Sequence, residues 1–415
     1  MVKKLSLDSI IILKNLSFLS VIRIFNVGIN FLLVAYLIRT LGETNYGILT
    51  WVDSVIQYFI VFVNFGFNVY AAKYIIKKRE NSNEINKITS AIFSIKMGLF
   101  TISVLILFSL SFLNPLKPYR EYLLLMNMLC LGEVLFPIWY FQGIEKLKTA
   151  MFITVFFKLG LLFSTFLLVK TPAGLNTYIF LLVISNSLIG VFGYLSIKYY
   201  YGFVFVWVKK STIVKVLKQA YMFFLGRFLS LTFNFLTIFV IGIYFSMRQV
   251  SGFDISLKVI LVCIIPYDIL QQAVFPTISR NKDKRLLKKL IVFSFLSGIA
   301  FTFGIFLFSS DILFLLAGEE GRSYSSILLL MSPIPPLVAV SFILGTCTLV
   351  AFGHEKEYNQ SLIISSVIYL ILLLAMKATS TISFWSLIYL RVFSDLMLLL
   401  TRVYFVYKRK ILSLN

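Results

Sequence analysis

The chain has 415 residues, of which 59% are apolar and 13% charged, with 43 Phe, 22 Tyr and 4 Trp. A soluble domain carries about 45–50% apolar and about 25% charged residues, so a soluble globular fold, a disordered chain and a secreted disulfide scaffold are excluded. Mean hydropathy is +0.93, and the net charge of +22 comes from basic residues that alternate with apolar stretches, a pattern of membrane topology rather than of nucleic-acid binding.

A membrane-spanning helix needs about 20 apolar residues. Twelve stretches qualify in chain order: 17–40, 47–72, 89–113, 121–141, 149–169, 176–197, 219–245, 250–278, 290–309, 323–352, 359–377 and 381–407. The first runs on to Leu41 with no small-residue cleavage site, so it reads as a span and not as a removed signal peptide. Runs such as 102–108 and 367–375 lack the alternation of barrel strands, and lipid otherwise admits only helices. The expected fold is all-α, a polytopic bundle of about twelve transmembrane helices.

Taking alternate loops as one side, 25 basic residues lie on the side of the N-terminus and seven on the other. This imbalance predicts cytoplasmic termini. The longest connection, 199–218, is only about twenty residues, too short for a separate catalytic domain. Cys130, Cys263 and Cys347 have no CxxC spacing and read as packing residues,. The single histidine, His354, falls in a turn, and no Gly-rich phosphate loop is present,. No catalytic residue, metal or cofactor is expected.

The two halves resemble each other. Arg23-x6-Asn30-Phe31-Leu32 recurs as Arg227-x6-Asn234-Phe235-Leu236, and Gly143-Ile144-Glu145-Lys146 recurs as Gly353-His354-Glu355-Lys356. The matches predict two parallel six-helix lobes, 1–205 and 206–415, related by a pseudo-twofold along the membrane normal, with substrate between them. Gly-x-Glu-Lys itself reads as a polar turn or as a cytoplasmic gate.

The segments Tyr36-Leu37-Ile38-Arg39-Thr40-Leu41-Gly42, Tyr46-Gly47 and Asn64-Phe65-Gly66-Phe67-Asn68 resemble those of Wzx-type O-antigen and polysaccharide flippases. Further resemblance lies in the run from Pro137 to Lys146, which begins Pro-Ile-Trp-Tyr-Phe-Gln, and in Ser332-Pro333-Ile334-Pro335. The resemblance implies the multidrug/oligosaccharidyl-lipid/polysaccharide exporter fold, two lobes around a central cavity in the bacterial inner membrane. It implies as substrate an undecaprenyl-diphosphate-linked oligosaccharide, moved to the periplasmic leaflet by alternating access coupled to an ion. It also implies membrane lipids and other polysaccharide-assembly proteins as partners. A small-molecule exporter of the same superfamily is the alternative, followed by a membrane O-antigen polymerase.

A charge in mid-bilayer costs at least about 2.5–3.5 kcal/mol, so intramembrane ionisable residues are candidates by default. Arg23 and Arg227 occupy repeat-equivalent positions, where they either clamp one diphosphate from two sides or snorkel to the interface. Lys96, Lys158 and Lys258 are further candidates for the diphosphate. Asp53 and Glu133 are candidates for a coupled proton or for sugar hydroxyls, and pairing with a basic neighbour explains them equally well. Arg391 and Asp395, four apart, predict an internal ion pair, and Arg402 a snorkelling end residue. Tyr58, Tyr70 and Trp139 either stack on sugar rings or pack.

Overall fold

The computed structural model describes the backbone of residues 7–412 and the side chains of residues 28–412 other than Ser230. Among the described residues there are helices and turns but no strands. An apolar chain in lipid must satisfy its amides within each helix, which accounts for an architecture of helices. It divides into two compact units, Met1–Phe228 and Leu229–Asn415.

The first unit opens with α1 (Leu7–Asn64), which is broken at Gly42 (φ 78°, ψ 164°). Phe65 and Gly66, at φ 46° and 75°, end it, and α2 (Phe67–Lys77) follows. An Asn81 side chain accepts from the Glu84 amide and starts α3 (Ser82–Leu110). Three short helices come next: α4 (Arg120–Asn127), α5 (Leu129–Leu135) and α6 (Ile138–Gly143). The break between α5 and α6 falls where Pro137 denies an amide and forces Phe136 into an extended conformation,. Then follow α7 (Leu147–Leu168), α8 (Leu175–Tyr199) and α9 (Lys210–Ser230).

In the second unit a π-helical turn, Thr232–Leu236, leads into α10 (Thr237–Tyr244). A Ser246/Gln249 capping box begins α11 (Met247–Asn281),. The remaining helices are α12 (Lys284–Ala317), α13 (Glu319–Arg322), α14 (Ser325–Met331), α15 (Ile334–Phe342), α16 (Glu355–Ala378) and α17 (Phe384–Lys408). A second π-helical stretch, Ile343–Val350, extends α15.

Ten segments among the described residues are long and apolar enough to cross a membrane, against twelve predicted. Predicted span two and the part of span one from Gly28 onward fall within one 50-residue segment, Gly28–Lys77, because the chain between them stays helical except at Gly42. Predicted span eight falls on α11, which is not among the ten.

Two features bear on the internal repeat. Glu145 (φ 60°) and Gly353 (φ 87°) each close a helix with a bond that spans five residues, Lys146 N to Phe141 O at 2.9 Å and His354 N to Leu349 O at 2.8 Å. These are Schellman-type caps, and they match Glu145 to Gly353 rather than Gly143 to Gly353, two residues off the sequence alignment. In addition, α9, which opens the second sequence repeat, belongs to the first compact unit up to Phe228.

Helices in each unit approach closely where glycine removes a side chain. A Cβ on Gly132 of α5 would lie 2.6 Å from the Asn186 carbonyl oxygen of α8, and one on Gly298 of α12 would lie 2.5 Å from Pro336 Cα of α15,. Aromatic residues such as Phe156 and Phe163 on α7 and Phe303 and Phe306 on α12 are exposed. Their exposure suits lipid as the solvent.

Candidate functional site

The first unit gathers a polar cluster from four segments around the fully buried Lys96. Glu133 stands near the end of α5, fixed there by the close α5–α8 contact at Gly132. The break at Phe65 and Gly66 turns two asparagines toward it: Asn64 Nδ2 donates to Glu133 Oε1 at 2.5 Å, and the Asn68 side chain bonds the same carboxylate. From α3, Lys96 donates to the Glu133 carbonyl oxygen at 2.8 Å and lies 4.0 Å from Oε1. From α9, Arg227 interacts electrostatically with Glu133.

Burial differs within the cluster. The Lys96 side chain is fully buried, 28% of the Glu133 side chain is exposed, and Arg227 is exposed. Two cations to one carboxylate leave the cluster electropositive. The Oδ1 atoms of Asn64 and Asn68 are buried and have no hydrogen-bond partner among the described residues, so both amides keep capacity to accept from a hydroxyl.

The break itself is enforced by packing. A Cβ on Gly66 would come within 2.6 Å of Phe223 Cβ and 2.7 Å of the Phe224 amide nitrogen, and Phe65 stacks on Phe224 at 4.7 Å. Gly66 is thus needed twice, for its left-handed φ and for backbone contact with α9.

The other candidates lie elsewhere. The Arg23 side chain falls outside the described residues. Asp53, three turns before Asn64 on α1, accepts from Gln57 at 3.0 Å. Lys158 on α7 is partly buried and has no hydrogen-bond or ion-pair partner among the described residues. Lys258 on α11 forms an ion pair with Asp254, one turn earlier.

A family model for polysaccharide biosynthesis proteins matches residues 12–282. The chain belongs to that family. It is 25% identical over 374 residues to an Escherichia coli (strain K12) protein named "Putative O-antigen transporter", covering 87% of this chain and 88% of that one. Among solved structures, it is similar to the lipid II flippase MurJ in an inward closed conformation, with a TM-score of 0.77 at 14% identity over 94% of this chain and 87% of that one. It is also similar to an inward-facing multidrug transporter of the MOP superfamily, with a TM-score of 0.67 at 14% identity and 94% coverage of both chains. The fold of this polysaccharide biosynthesis protein is therefore that of the exporter superfamily anticipated from its motifs, and its relatives are transporters and not enzymes.

The second unit of this family member holds a separate set of buried charges that satisfy one another. Arg391 donates to Asp395 at 2.5 Å and to Asn234 in the π-helical turn at 2.9 Å, so the expected internal pair is present. Arg402 corrects an expectation: it is 3% exposed, donates to the Ser341 carbonyl at 2.6 Å and lies over the Tyr358 ring at 4.9 Å. It does not snorkel because the Ser341 carbonyl and hydroxyl, at 2.6 and 2.9 Å, hold its guanidinium inside the unit. Trp139 is fully buried against Phe93 at 6.0 Å, which is packing. Tyr58 meets Phe228 at 5.3 Å.

Sequence reasoning missed Asn64 and Asn68 as site residues. Their signal was present, two amides flanking an aromatic-glycine pair inside an apolar span.

Proposed function

We propose that this protein is a flippase that moves an undecaprenyl-diphosphate-linked oligosaccharide from the cytoplasmic to the periplasmic leaflet of a bacterial inner membrane by alternating access. The coarser part of this reading, a transporter of lipid-linked polysaccharide, is supported by the family and by the names of its relatives. The finer part is carried by one observation, the electropositive cluster in which the fully buried Lys96 and the exposed Arg227 share the partly exposed Glu133. A diphosphate loses its hydration on entering hydrocarbon, a prohibitive cost unless fixed cations replace the water.

The cluster suits a charge exchange. Without substrate, Glu133 offsets one of the two positive charges that Lys96 and Arg227 bring. On entry, the diphosphate takes over the two cations, with Arg227 offering a planar fork and Lys96 a point charge. Glu133 then keeps its bonds to Asn64 and Asn68 or takes up a proton, which couples transport to the proton gradient at about 2.3 kcal/mol per 100 mV. The free Oδ1 acceptors of the asparagines meet hydroxyls of the first sugar. Arg23 is a further cation for the diphosphate in this scheme, Lys158 adds another along the path, and Asp53 contacts sugar. Lys258 must release Asp254 before it can receive the diphosphate on the periplasmic side. With both termini cytoplasmic, as the loop charges favour, the released product faces the periplasmic assembly proteins.

The test is flipping of a lipid-linked oligosaccharide in proteoliposomes containing the full chain, read as the fraction that becomes accessible to an external lectin. Wild type should flip it, and Arg227→Ala and Lys96→Met should not. Accumulation of small organic cations with no flipping would instead assign the protein to the drug exporters.

A further inference from the structure

A second basic site lies next to the cluster, in the same unit. Between α2 and α9 is a cavity of about 290 Å³ whose lining includes Lys73, Lys77, Lys215, Gln219, Tyr70 and Phe223. Three ammonium groups border it and no carboxylate does. Lys73 Nζ sits 5.4 Å from the centroid of the Phe223 ring, and none of the three lysines has an ion-pair partner among the described residues. Glu84, the acid beside α2, is already engaged by the Tyr74 hydroxyl at 2.8 Å and by Lys87 at 3.8 Å. Like charges gathered around a partly apolar cavity repel, and a multivalent anion would relieve that repulsion.

The cavity adjoins the buried cluster along both walls. On α9, Lys215, Gln219, Phe223 and Arg227 recur every four residues, one stripe of the helix running about 18 Å. On the opposite wall, Tyr70 follows Asn68 by two residues, and Phe223 itself touches Gly66. The Tyr70 hydroxyl donates to Gln219 Oε1 at 2.6 Å, a bar across the cavity on the way to Arg227. These lysines belong to the basic loops 73–87 and 198–218, which as sequence read only as signals of orientation.

We propose that Lys73, Lys77 and Lys215 form a capture site that takes the diphosphate of the lipid-linked substrate at the cytoplasmic surface and passes it along the α9 stripe to Arg227 and Lys96. This inference rests on the flippase reading and adds its entry step. Lysines suit capture because they act as mobile point charges without the bidentate grip of arginine, so the anion is concentrated and then released. Opening the Tyr70–Gln219 bond admits it.

The experiment measures initial flipping rate against the concentration of undecaprenyl-diphosphate-linked oligosaccharide, with the full chain in phosphatidylcholine vesicles. The triple variant Lys73→Gln, Lys77→Gln, Lys215→Gln should raise KM about tenfold, the lower end of electrostatic steering, with a much smaller effect on kcat and a flatter salt dependence. The triple arginine variant should restore KM, and Gln219→Lys should lower it. Inorganic pyrophosphate should bind wild type about tenfold more tightly than the triple glutamine variant, a readout that holds even if wild type flips nothing and the flippase reading fails. A folded triple variant with wild-type KM and salt slope overturns the capture site. So does an unchanged KM in Gln219→Lys, the decisive variant if the triple one does not fold. Competition by phosphatidylglycerol as strong as that by pyrophosphate overturns the assignment to a diphosphate.

Discussion

The Lys96–Glu133 pair makes the sharpest prediction about the buried cluster, because stability and transport respond to it differently. At 4.0 Å and an effective dielectric near 20, the pair attracts by about 4 kcal/mol before desolvation. The 28% exposure of the Glu133 side chain lets solvent screen part of this, leaving a net coupling of about 1–3 kcal/mol. Glu133→Gln strands a fully buried ammonium on one carbonyl at 2.8 Å, and the loss should be about 3–5 kcal/mol. Lys96→Met should cost less, about 1–3 kcal/mol, since Asn64, Asn68 and Arg227 still hold the carboxylate,. The double variant should therefore be more stable than the two losses combined by the coupling energy. The assay is a double-mutant cycle on reversible unfolding in mixed detergent micelles, with flipping measured on the same preparations. The double variant should regain stability and still fail to flip, having lost a cation that the substrate needs. Losses that add to within about 0.5 kcal/mol would refute the coupling, and a double variant that flips normally would remove Lys96 from the site.

Three further outcomes follow from the packing. Gly66→Ala meets both a left-handed φ, costing about 1–2 kcal/mol, and overlap with Phe223, costing about 1–3 kcal/mol; denaturant titration should show a loss of about 2–5 kcal/mol, and an unchanged midpoint would mean that α1 does not break there. Arg391→Met leaves Asp395 buried without its partner and should cost about 3–5 kcal/mol, while adding Asp395→Asn should recover at least half of that in the same titration. Trp139→Phe should lower thermal stability through a small cavity, about 1–2 kcal/mol, without changing KM for the lipid-linked substrate; a raised KM at unchanged stability would return Trp139 to the sugar site.

Much of the site was legible one residue at a time and little of it as a constellation. Arg227, Lys96 and Glu133 stand out in the sequence because a charge in an apolar span is costly and needs a reason. Nothing in their spacing joins them: they sit on α9, α3 and α5, and they meet because Gly66 and Gly132 let backbones approach. Asn64 and Asn68 carry no charge, so the same filter passed over them. Lys73, Lys77 and Lys215 were absorbed into a loop count that registers sign and not position. Arg402 was misjudged because its place near a helix end suggested water, while the nearest acceptor is a carbonyl on another helix.

The chain's composition alone dictates a helical membrane protein, since a stretch of about twenty apolar residues has no other way to satisfy its backbone in lipid. Its periodic loop charges and its two repeated motifs likewise give expectations of orientation and duplication, properties that add up along the chain. Which charges neutralise one another is a different kind of property. It depends on distances of a few ångströms between residues far apart in sequence, and these are set by helix breaks at Gly42 and Gly66, by glycine contacts and by π turns. Packing therefore made a self-satisfied ion pair of Arg391 and Asp395, and left Lys96 and Arg227 sharing one carboxylate beside three lysines with no ion-pair partner among the described residues.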